Sequence, residues 1–599
     1  MRPIPPSRHL LAALIFIAVS AAAAYWALHD PKISPVQVNI ACAALKEHQQ
    51  DLFTGDLIFG KSGLWLFHTP VLLGVLKLIL VPMNYSDVIL PFRLLVGPVA
   101  LLFLGGMYAL LYRQTQSWSV SAFVAVLSMT VVNVLGGATF GLGTLAAMTP
   151  QTFFLAAIPL IVLAYLNYEE HWRLVLVFTF IGAMGNIHLV TGMNLTLVLL
   201  AAYLGRHRFT PKAFLTAGAC GLCALAAATP YARYYFSLRS GMPGSSGTVP
   251  AEVVRRAFEI SNQQVLYPDL LKGLLEIGLL WKLVLLAVVA VAVICRWERF
   301  RLRDRSFWVW MILGVLAVAL GFQGASQVLG SWRKSGPPVI DFLKASNLLL
   351  LPLYVLLAQG LVNLFRLIRI NRRLMQWCCI GLLAAWMIPS ENMEQVRQNA
   401  YMTLGGFLHE QDKPRQLRRI EDEAQRQEEF RAIADWARNG GHGAKLQGRP
   451  CRPDAASVFV TDHTEFRILS RRPIVSAGDD VRFIYYLVPW RIGDGEDQPA
   501  LSIERWLKLY DRQKHLLQGT ADDASLAQFL ADLAAVEEIQ QVRQWYILVD
   551  TSVLDFNPAK YGSLQNVAEV VSDHWGKQYR VYRVDKDRIL AAPTTRIGG

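Results

Sequence analysis

The chain has 599 residues, of which 53% are apolar, and it carries 58 basic against 45 acidic side chains. The basic excess is local: residues 391–599 hold 28 basic and 31 acidic side chains, whereas residues 1–390 hold 30 and 14. Because the excess lies between long apolar runs, it is typical of membrane-protein loops, and we exclude nucleic-acid binding.

Apolar runs in the first 390 residues predict eleven membrane-spanning helices. They lie near 10–28, 88–112, 118–136, 150–168, 173–187, 190–205, 212–230, 274–295, 306–324, 346–366 and 374–389. The first run is interpreted as a membrane anchor rather than a cleaved signal. The apolar stretch 63–82 is predicted to lie in the interface or to re-enter the membrane, since a further span there would reverse the side of every later basic cluster.

Basic clusters between these runs predict the orientation, because short cytoplasmic loops collect Lys and Arg. The clusters are Arg2 with Arg8, Arg113 with Arg173, Arg206 to Lys212, Arg296 to Arg305, and Arg366 to Arg373. If they share the cytoplasmic side, residues 30–87, 231–273 and 325–345 lie outside the cytoplasm. The polar C-terminal third lies outside with them.

The last third of the chain reads as a soluble region. Residues 391–427 are polar and predict a helical connecting arm, and residues 428–599 predict a small α/β domain. Its predicted helices are 428–439, 502–517 and 524–539, and its predicted strands are SVFVTD, RRPIVSA, QWYILVD and QYRVYRV. The fold class is therefore a polytopic α-helical membrane protein with a C-terminal soluble α/β domain.

The first outer loop gathers four ionisable side chains directly after the first membrane helix: Glu47, His48, Asp51 and Asp56. Acids at a membrane surface serve as a general base or as ligands of a divalent cation. The alternative is structural: Glu47 and Asp51 lie on a solvated helix face, and Asp56 caps a turn after Gly55.

Two further places carry candidate binding residues. His188 lies between two apolar runs, where an ionisable group is a functional candidate, although a histidine bonded at a helix end explains it equally. Arg333, Lys334 and Lys344 lie on the side that positive charge avoids, and a phosphate-bearing lipid is their predicted partner. The alternative is that these are ordinary loop charges.

Four segments resemble the GT-C superfamily of integral-membrane glycosyltransferases. The acidic stretch QQDLFTGD lies in a large loop after the first helix, and the polar loop GGATFGLGTLAAMTPQTF follows the third. The segment WRLVLVFTFIGAMGNIHLVTG is similar to a helix-breaking element of bacterial members, with His188 in its place. DWARN followed by SVFVTDHTEFRILSRRPIV is similar to the start of their periplasmic domain.

The resemblance implies sugar transfer from a polyprenyl-phosphate-linked donor to a glycan, lipid or protein acceptor on the extracytoplasmic side. It also implies a multi-pass inner-membrane location with a periplasmic C-terminal domain, and a loop carboxylate as base or metal ligand. Asp56 matches that carboxylate best and Asp51 second. Many members pair two acids as D-x-D or E-x-D, whereas four residues separate Asp51 and Asp56 here. A divalent cation, Mg²⁺ or Mn²⁺, and a single-base mechanism without metal both stay open.

The sequence lacks a P-loop, a dinucleotide-binding G-x-G-x-x-G, an H-E-x-x-H and a G-x-S-x-G motif, so a donor must carry its own activation. The main alternative to a transferase is a non-catalytic membrane component of polysaccharide or cell-envelope assembly or export. A solute transporter fits less well, because the acids lie in a loop and no inverted repeat is evident.

Overall fold

The computed structural model describes most of the helical region and the centre of the C-terminal domain. The described residues are 6–29, 33–60, 64–67, 70–129, 132–134, 138–140, 148–241, 248–260, 303–325, 328, 341–367, 369, 371, 374, 415–440, 446–448, 453–454, 457–481, 483, 491–492, 503–519, 523–534, 542–550, 564–571 and 578–585.

Most of the described residues up to 367 are helical. The helices are α1 (Pro6–His29), α2 (Pro35–His48), α3 (Pro70–Leu80), α4 (Leu90–Thr115), α5 (Trp118–Leu127), α6 (Pro150–Tyr168), α7 (Leu174–Gly185), α8 (Leu189–Arg206), α9 (Pro211–Gly241), α10 (Ala251–Ile260), α11 (Arg305–Leu316) and α12 (Leu350–Leu367). A π-helical segment, Ala317–Phe322, continues α11, and 3₁₀ helices cover Leu64–Phe67 and Phe342–Leu349.

Within the described residues, seven helices are long and apolar enough to cross a membrane. They are Arg8–Tyr25, Leu90–Thr115, Pro150–Tyr168, Leu189–Arg206, Pro211–Leu238, Arg305–Ala325 and Phe342–Arg366. Each coincides with a predicted span, and large apolar side chains such as Leu10, Leu215 and Leu222 are exposed on them. The chain is therefore a polytopic helical membrane protein by length and composition of its helices.

Four predicted spans are not among these seven helices. The predicted run 118–136 forms a helix only to Leu127; the Ser128 hydroxyl donates to the Ala125 carbonyl, and β1 (Val132–Val134) then pairs antiparallel with β2 (Ala138–Phe140). The run 173–187 gives the 12-residue α7. The runs 274–295 and 374–389 lie outside the described residues, apart from Leu374. The number eleven stays a prediction.

The ambiguous stretch 63–82 contains the first 3₁₀ helix and α3. Because α3 has 11 residues, it rises only about 16 Å, roughly half the thickness of a bilayer core. Residues Pro70–Leu80 are therefore too short to cross as a helix.

Asn186 lies at the break between α7 and α8, and its side chain replaces a missing backbone hydrogen bond of α9. Pro230 lies inside α9, where its ring disturbs the preceding turn. The Asn186 amide donates to the Ala227 carbonyl at 2.8 Å and accepts from the Tyr231 N–H at 3.0 Å, two groups that bond to each other in a regular helix. α7 and α9 approach closely here, since a Cβ on Gly182 would lie 2.0 Å from the Ala224 carbonyl oxygen.

Charged side chains from four predicted cytoplasmic loops meet at one end of the helical bundle, named here the Asp304 end. Arg113 Nε donates to Asp304 at 3.2 Å, and Arg206 Nη1 lies 2.6 Å from Glu169. Arg206 also approaches Asp304 at 3.9 Å. Four of the loops that were predicted to share one side therefore lie together.

The C-terminal domain is built on a five-stranded sheet. Its described elements are α13 (Arg415–Asn439), α14 (Phe466–Ser470), α15 (Ile503–Leu517), α16 (Asp523–Ala534), β4 (Leu446–Gly448), β5 (Ser457–Val460), β7 (Gln544–Asp550), β8 (Leu564–Val571) and β9 (Gln578–Val584). The strand order is β4-β8-β9-β7-β5, and β5 and β7 are the parallel pair. A short parallel pair, β3 (Thr248–Val249) with β6 (Arg491–Ile492), lies apart from it.

Apolar side chains of α13 cover one face of this sheet. The large buried apolar side chains of α13 include Phe430, Ile433 and Trp436. They pack against Phe459 of β5 and Tyr546 of β7. The Phe459 and Tyr546 rings stack on each other with centroids 5.0 Å apart. Burial of several large side chains between a helix and a sheet is the expected driving force for such a domain.

The strands of the domain depart from their prediction. RRPIVSA forms no strand; among the described residues it joins β5 through the bridge between Phe459 and Ile474. The strands β4, β6 and β8 were not predicted. α13 runs through residue 428 without a break, so the boundary between connecting arm and domain stays a prediction.

Candidate functional site

The loop after α2 folds around Asp56. Its Oδ1 accepts hydrogen bonds from the backbone N–H groups of Ile58 at 2.9 Å and Phe59 at 3.1 Å, which is the local pattern by which aspartate closes a turn. Gly55 precedes it with φ 92°, a conformation that side chains rarely adopt. The Gly60 N–H then donates to the Asp56 carbonyl at 2.9 Å. Sequence and backbone thus place this carboxylate at the centre of a compact turn.

The same carboxylate binds an arginine of the C-terminal domain. Arg467 donates from Nε to Asp56 Oδ2 at 2.8 Å and from Nη2 to Oδ1 at 3.2 Å. It also donates to both Asp480 oxygens, at 2.8 and 2.7 Å. These three residues, named here the interdomain triad, are each 0% exposed.

Every oxygen of the Asp56 carboxylate is therefore occupied. Besides the two turn N–H groups and the arginine, Oδ2 accepts from the Ile474 N–H at 3.2 Å, which makes five hydrogen bonds in all. In this arrangement the carboxylate is closed to solvent and to any substrate.

The charges around the triad balance. Two carboxylates face one guanidinium, and the nearby Lys46 ammonium, itself bonded to the carbonyls of Gln50 and Leu52, supplies a second positive charge. Burial alone would lower the pKa of Arg467, but the Asp480 and Asp56 carboxylates outweigh it and raise that pKa. Phe59 covers the guanidinium, with its ring centroid 5.2 Å from Cζ. Buried charges are tolerated only when paired and hydrogen-bonded in this manner.

A second contact joins the domain to the bundle near the triad. Arg471 donates from Nη2 to the Tyr85 carbonyl at 2.8 Å, and the Tyr85 ring stacks on His48 with centroids 4.0 Å apart. Tyr85 lies just before α4, at the end opposite Arg113. The triad and Tyr85 define the Asp56 end of the bundle.

Polar side chains also gather where α7 breaks, in a group named here the helix-break cluster: His188, Thr191, Asn194, Asp341 and Lys344. His188 Nδ1 accepts from the Thr191 N–H at 3.2 Å, so this nitrogen is unprotonated and the ring is neutral. Asn194 donates to the Asp341 carbonyl at 3.1 Å. Lys344 Nζ lies 3.9 Å from the Asp341 carboxylate and within electrostatic range of His188.

The predicted site residues thus fall into different places. His188 and Lys344 come together in the helix-break cluster, whereas Asp56 lies in the interdomain triad. Asp51 is exposed in the turn after α2, and Glu47 pairs with Lys77 of α3. Arg333 and Lys334 lie outside the described residues. Asp56 closes a turn after Gly55, as the structural alternative expected. A catalytic role of Asp56 stays a prediction.

Sequence reasoning did not single out Arg467 or Asp480. The signal available was an arginine in the apolar segment EFRILS, followed by a pair of aspartates after Gly478. Nothing in that pattern names Asp56, which is 411 residues away, as the partner.

The two groups can perform different tasks. The interdomain triad holds the first outer loop against the soluble domain, and the helix-break cluster offers an ammonium and a neutral imidazole between helices. In the part of the chain that the structure describes, no group of three or more His, Cys, Asp or Glu side chains could hold a metal ion. No protein-family model matches the chain, and no curated protein matches it either.

Proposed function

We propose that the chain is an integral-membrane glycosyltransferase that transfers a sugar from a polyprenyl-phosphate-linked donor to an acceptor outside the cytoplasm. The observation that supports it best is the helix-break cluster, which lies where α7 ends and α8 begins, at the ends of these helices remote from Glu169 and Arg206. A lipid-linked sugar carries its own leaving group, so the protein must mainly position it and stabilise developing phosphate charge. In this proposal the Lys344 ammonium, 3.9 Å from the Asp341 carboxylate, stabilises that charge between apolar helices, where electrostatic interactions are strong.

The basic clusters assign the Asp304 end to the cytoplasm and the Asp56 end to the periplasmic side of the inner membrane in this proposal. An alkaline phosphatase reporter fused after residue 450 should be active, and one fused after residue 303 should be inactive. Equal activity of the two fusions would contradict the orientation.

Two carboxylates compete for the role of base. Asp51 is exposed in the same loop, whereas Asp56 reaches an acceptor only after its bonds to Arg467 are broken. Each is tested by replacement with Asn, which keeps the size of the side chain and removes the base. Loss of a general base lowers the rate by about 10²–10⁴-fold.

The assay is transfer of radiolabelled sugar from undecaprenyl-phosphate donors by the full chain in phospholipid nanodiscs. Asp480→Asn is the matched control for Asp56→Asn, because Asp480 binds the same guanidinium but is not a candidate base. If Asp56→Asn and Asp480→Asn lose activity equally, the loss reflects the triad, and a loss of about 10²–10⁴-fold in Asp51→Asn then identifies Asp51 as the base. If only Asp56→Asn loses it, Asp56 is the base. Mg²⁺ or Mn²⁺ is added and removed with EDTA in parallel.

One observation favours a second candidate, a non-catalytic component of polysaccharide or cell-envelope assembly. The carboxylate that best matches the resemblance is fully buried and bonded in the interdomain triad. Wild-type protein that transfers no sugar from any donor, yet binds undecaprenyl phosphate through Lys344, would support this alternative.

A further inference from the structure

The C-terminal domain contains a cavity at the carboxyl ends of its two parallel strands. β5 and β7 pair in register from Ser457 with Gln544 to Val460 with Ile547. Thr461, Asp462 and His463 follow β5 directly, and Asp550 is the last residue of β7. All four line a cavity of about 450 Å³. Ligands of sheets with parallel strands bind in the crevice outside these strand ends, and the volume lies in the range of small-molecule sites.

Aromatic rings form part of the wall. The Phe430 ring of α13 lies 5.0 Å from the His463 ring and 5.5 Å from that of Tyr579, centroid to centroid. Tyr579 pairs with Asp550 across β9 and β7, and Tyr510 of α15 lines the cavity as well. Aromatic faces carry partial negative charge and attract polarised C–H groups, such as those of a sugar ring.

The charges in the cavity nearly cancel. Asp462, Glu465 and Asp550 are opposed by Arg426 and Lys514, with His463 bound to Glu465 at 3.6 Å. A phosphate site needs a surplus of cationic donors, which this wall lacks. Carboxylates and amides beside cationic donors suit a ligand with many hydroxyl groups, each of which both donates and accepts.

Two polar atoms of the wall have no partner among the described residues. The side-chain oxygen of Gln427 and Nε of Arg426 are buried and form no hydrogen bond within the described part of the chain. A buried polar atom without a partner is costly, and rotation of either side chain towards a hydroxyl group bound in the cavity would remove that cost.

We infer that this cavity is a carbohydrate-binding site that takes a neutral mono- or disaccharide unit. The inference does not rest on the proposed function, since a transferase and an assembly component both meet glycans. It assigns to the soluble domain a binding activity separate from the helix-break cluster.

The test uses the full chain in phospholipid nanodiscs, which avoids detergents with sugar headgroups. Four disaccharides are the probes: maltose, cellobiose, lactose and chitobiose. Binding is followed by saturation-transfer NMR and titration. Gln427→Ala removes one unpaired acceptor, and Glu428→Ala is the control, because Glu428 is the next residue of the same helix, is exposed and does not line the cavity. Asp462→Asn is a second variant of nearly unchanged size.

At least one disaccharide should bind. Its affinity should fall about three- to tenfold in Gln427→Ala, as for the loss of one hydrogen bond, and stay unchanged in Glu428→Ala. Asp462→Asn should weaken binding as well. Absence of binding for all four probes would overturn the inference, and so would binding that neither cavity variant weakens. Because sugar transfer is not measured, failure here leaves the proposed function untouched.

Discussion

The two ends of the helical bundle both carry networks of arginine and carboxylate, and the networks differ in burial. At the Asp304 end, the Arg206 side chain is 27% exposed and that of Asp304 is 13% exposed. At the Asp56 end, all three members of the interdomain triad are 0% exposed. Arg206 and Asp304 therefore keep part of their contact with water, whereas every member of the interdomain triad is closed to it.

The difference indicates what each network does. Partly solvated ion pairs contribute little free energy, and those at the Asp304 end mainly mark the side on which the basic loops lie. A buried pair contributes little beyond an apolar one when intact, but removal of one partner leaves a charge that water cannot reach. The triad is therefore a specific connection: it forms only when the loop and the domain meet in the correct position.

The largest effect should follow Arg467→Met, which removes the guanidinium that binds both buried carboxylates. We expect the free energy of opening of residues 49–60 to fall by about 3–5 kcal/mol. Amide hydrogen exchange of Ile58 and Phe59 measures it. Arg467→Lys, which keeps a cation beside both carboxylates and leaves Asp56 as the acceptor of the Ile58 and Phe59 N–H groups, is the control and should lose less. Unchanged exchange in Arg467→Met would mean that the triad does not hold the loop.

Gly60→Ala should open the same loop without touching a charge. A Cβ there would lie 2.3 Å from the Asp56 carbonyl oxygen, so the turn must shift. Overpacking of this kind costs about 1–3 kcal/mol. Gly74→Ala in α3 is the control, because nothing lies within 4 Å of its added Cβ. The same amides report the result, and equal behaviour of the two variants would contradict it.

At the Asp304 end, Arg206→Met should lower the free energy of unfolding by about 1–2 kcal/mol, less than Arg467→Met, because Arg206 is 27% exposed although its partner Glu169 is 6% exposed. The effect should shrink when salt rises from 0.05 to 0.5 M, because partly solvated charges are screened. Thermal unfolding in nanodiscs at both salt concentrations measures it. Arg467→Met, measured in parallel, should show no such salt dependence; a similar dependence in both variants would erase the distinction between the two ends.

The smallest effect concerns His463 and Glu465, a partly exposed ion pair of the C-terminal domain. Burial alone would lower the pKa of His463, but Glu465 outweighs it and raises that pKa; burial would raise the pKa of Glu465, but His463 lowers it. Because the pKa of His463 is raised, its protonation stabilises the fold below about pH 6.5, and this stabilisation is lost as the pH rises further. Because the pKa of Glu465 is lowered, its ionised form stabilises the fold above about pH 4.3, and this stabilisation is lost as the pH falls.

His463→Gln should therefore lower stability most near pH 5.5, by less than about 1 kcal/mol because both side chains are partly exposed. Thermal unfolding of wild type and variant at pH 5.5 and 8 measures the difference. A larger loss at pH 8 would reverse the sign and contradict the assignment.

The sequence predicted what depends on local composition. Apolar runs located seven long helices, and the basic residues Arg113 and Arg206 correctly predicted which loops lie together. QWYILVD and QYRVYRV are strands as expected, since β-branched and aromatic residues are enriched in strands.

The sequence did not predict what depends on distant partners. The role of Asp56 is determined by Arg467, and no periodicity links two residues 411 positions apart. The helix break at Asn186 was recognised, but its repair of the α9 backbone at Pro230 was not, because that contact requires the packing of two helices. The cavity at the carboxyl ends of β5 and β7 was not predicted either, because its walls come from elements that are distant in sequence.

The sequence separation within the triad has a consequence for biosynthesis. A ribosome adds about 5–20 residues per second, so roughly 20–80 s pass between synthesis of Asp56 and that of Arg467, 411 residues later. Throughout that interval the nascent loop carries a charged aspartate that has not met its cation. A chain truncated before residue 467 would keep the loop open, and proteases that recognise unfolded segments could cut it there.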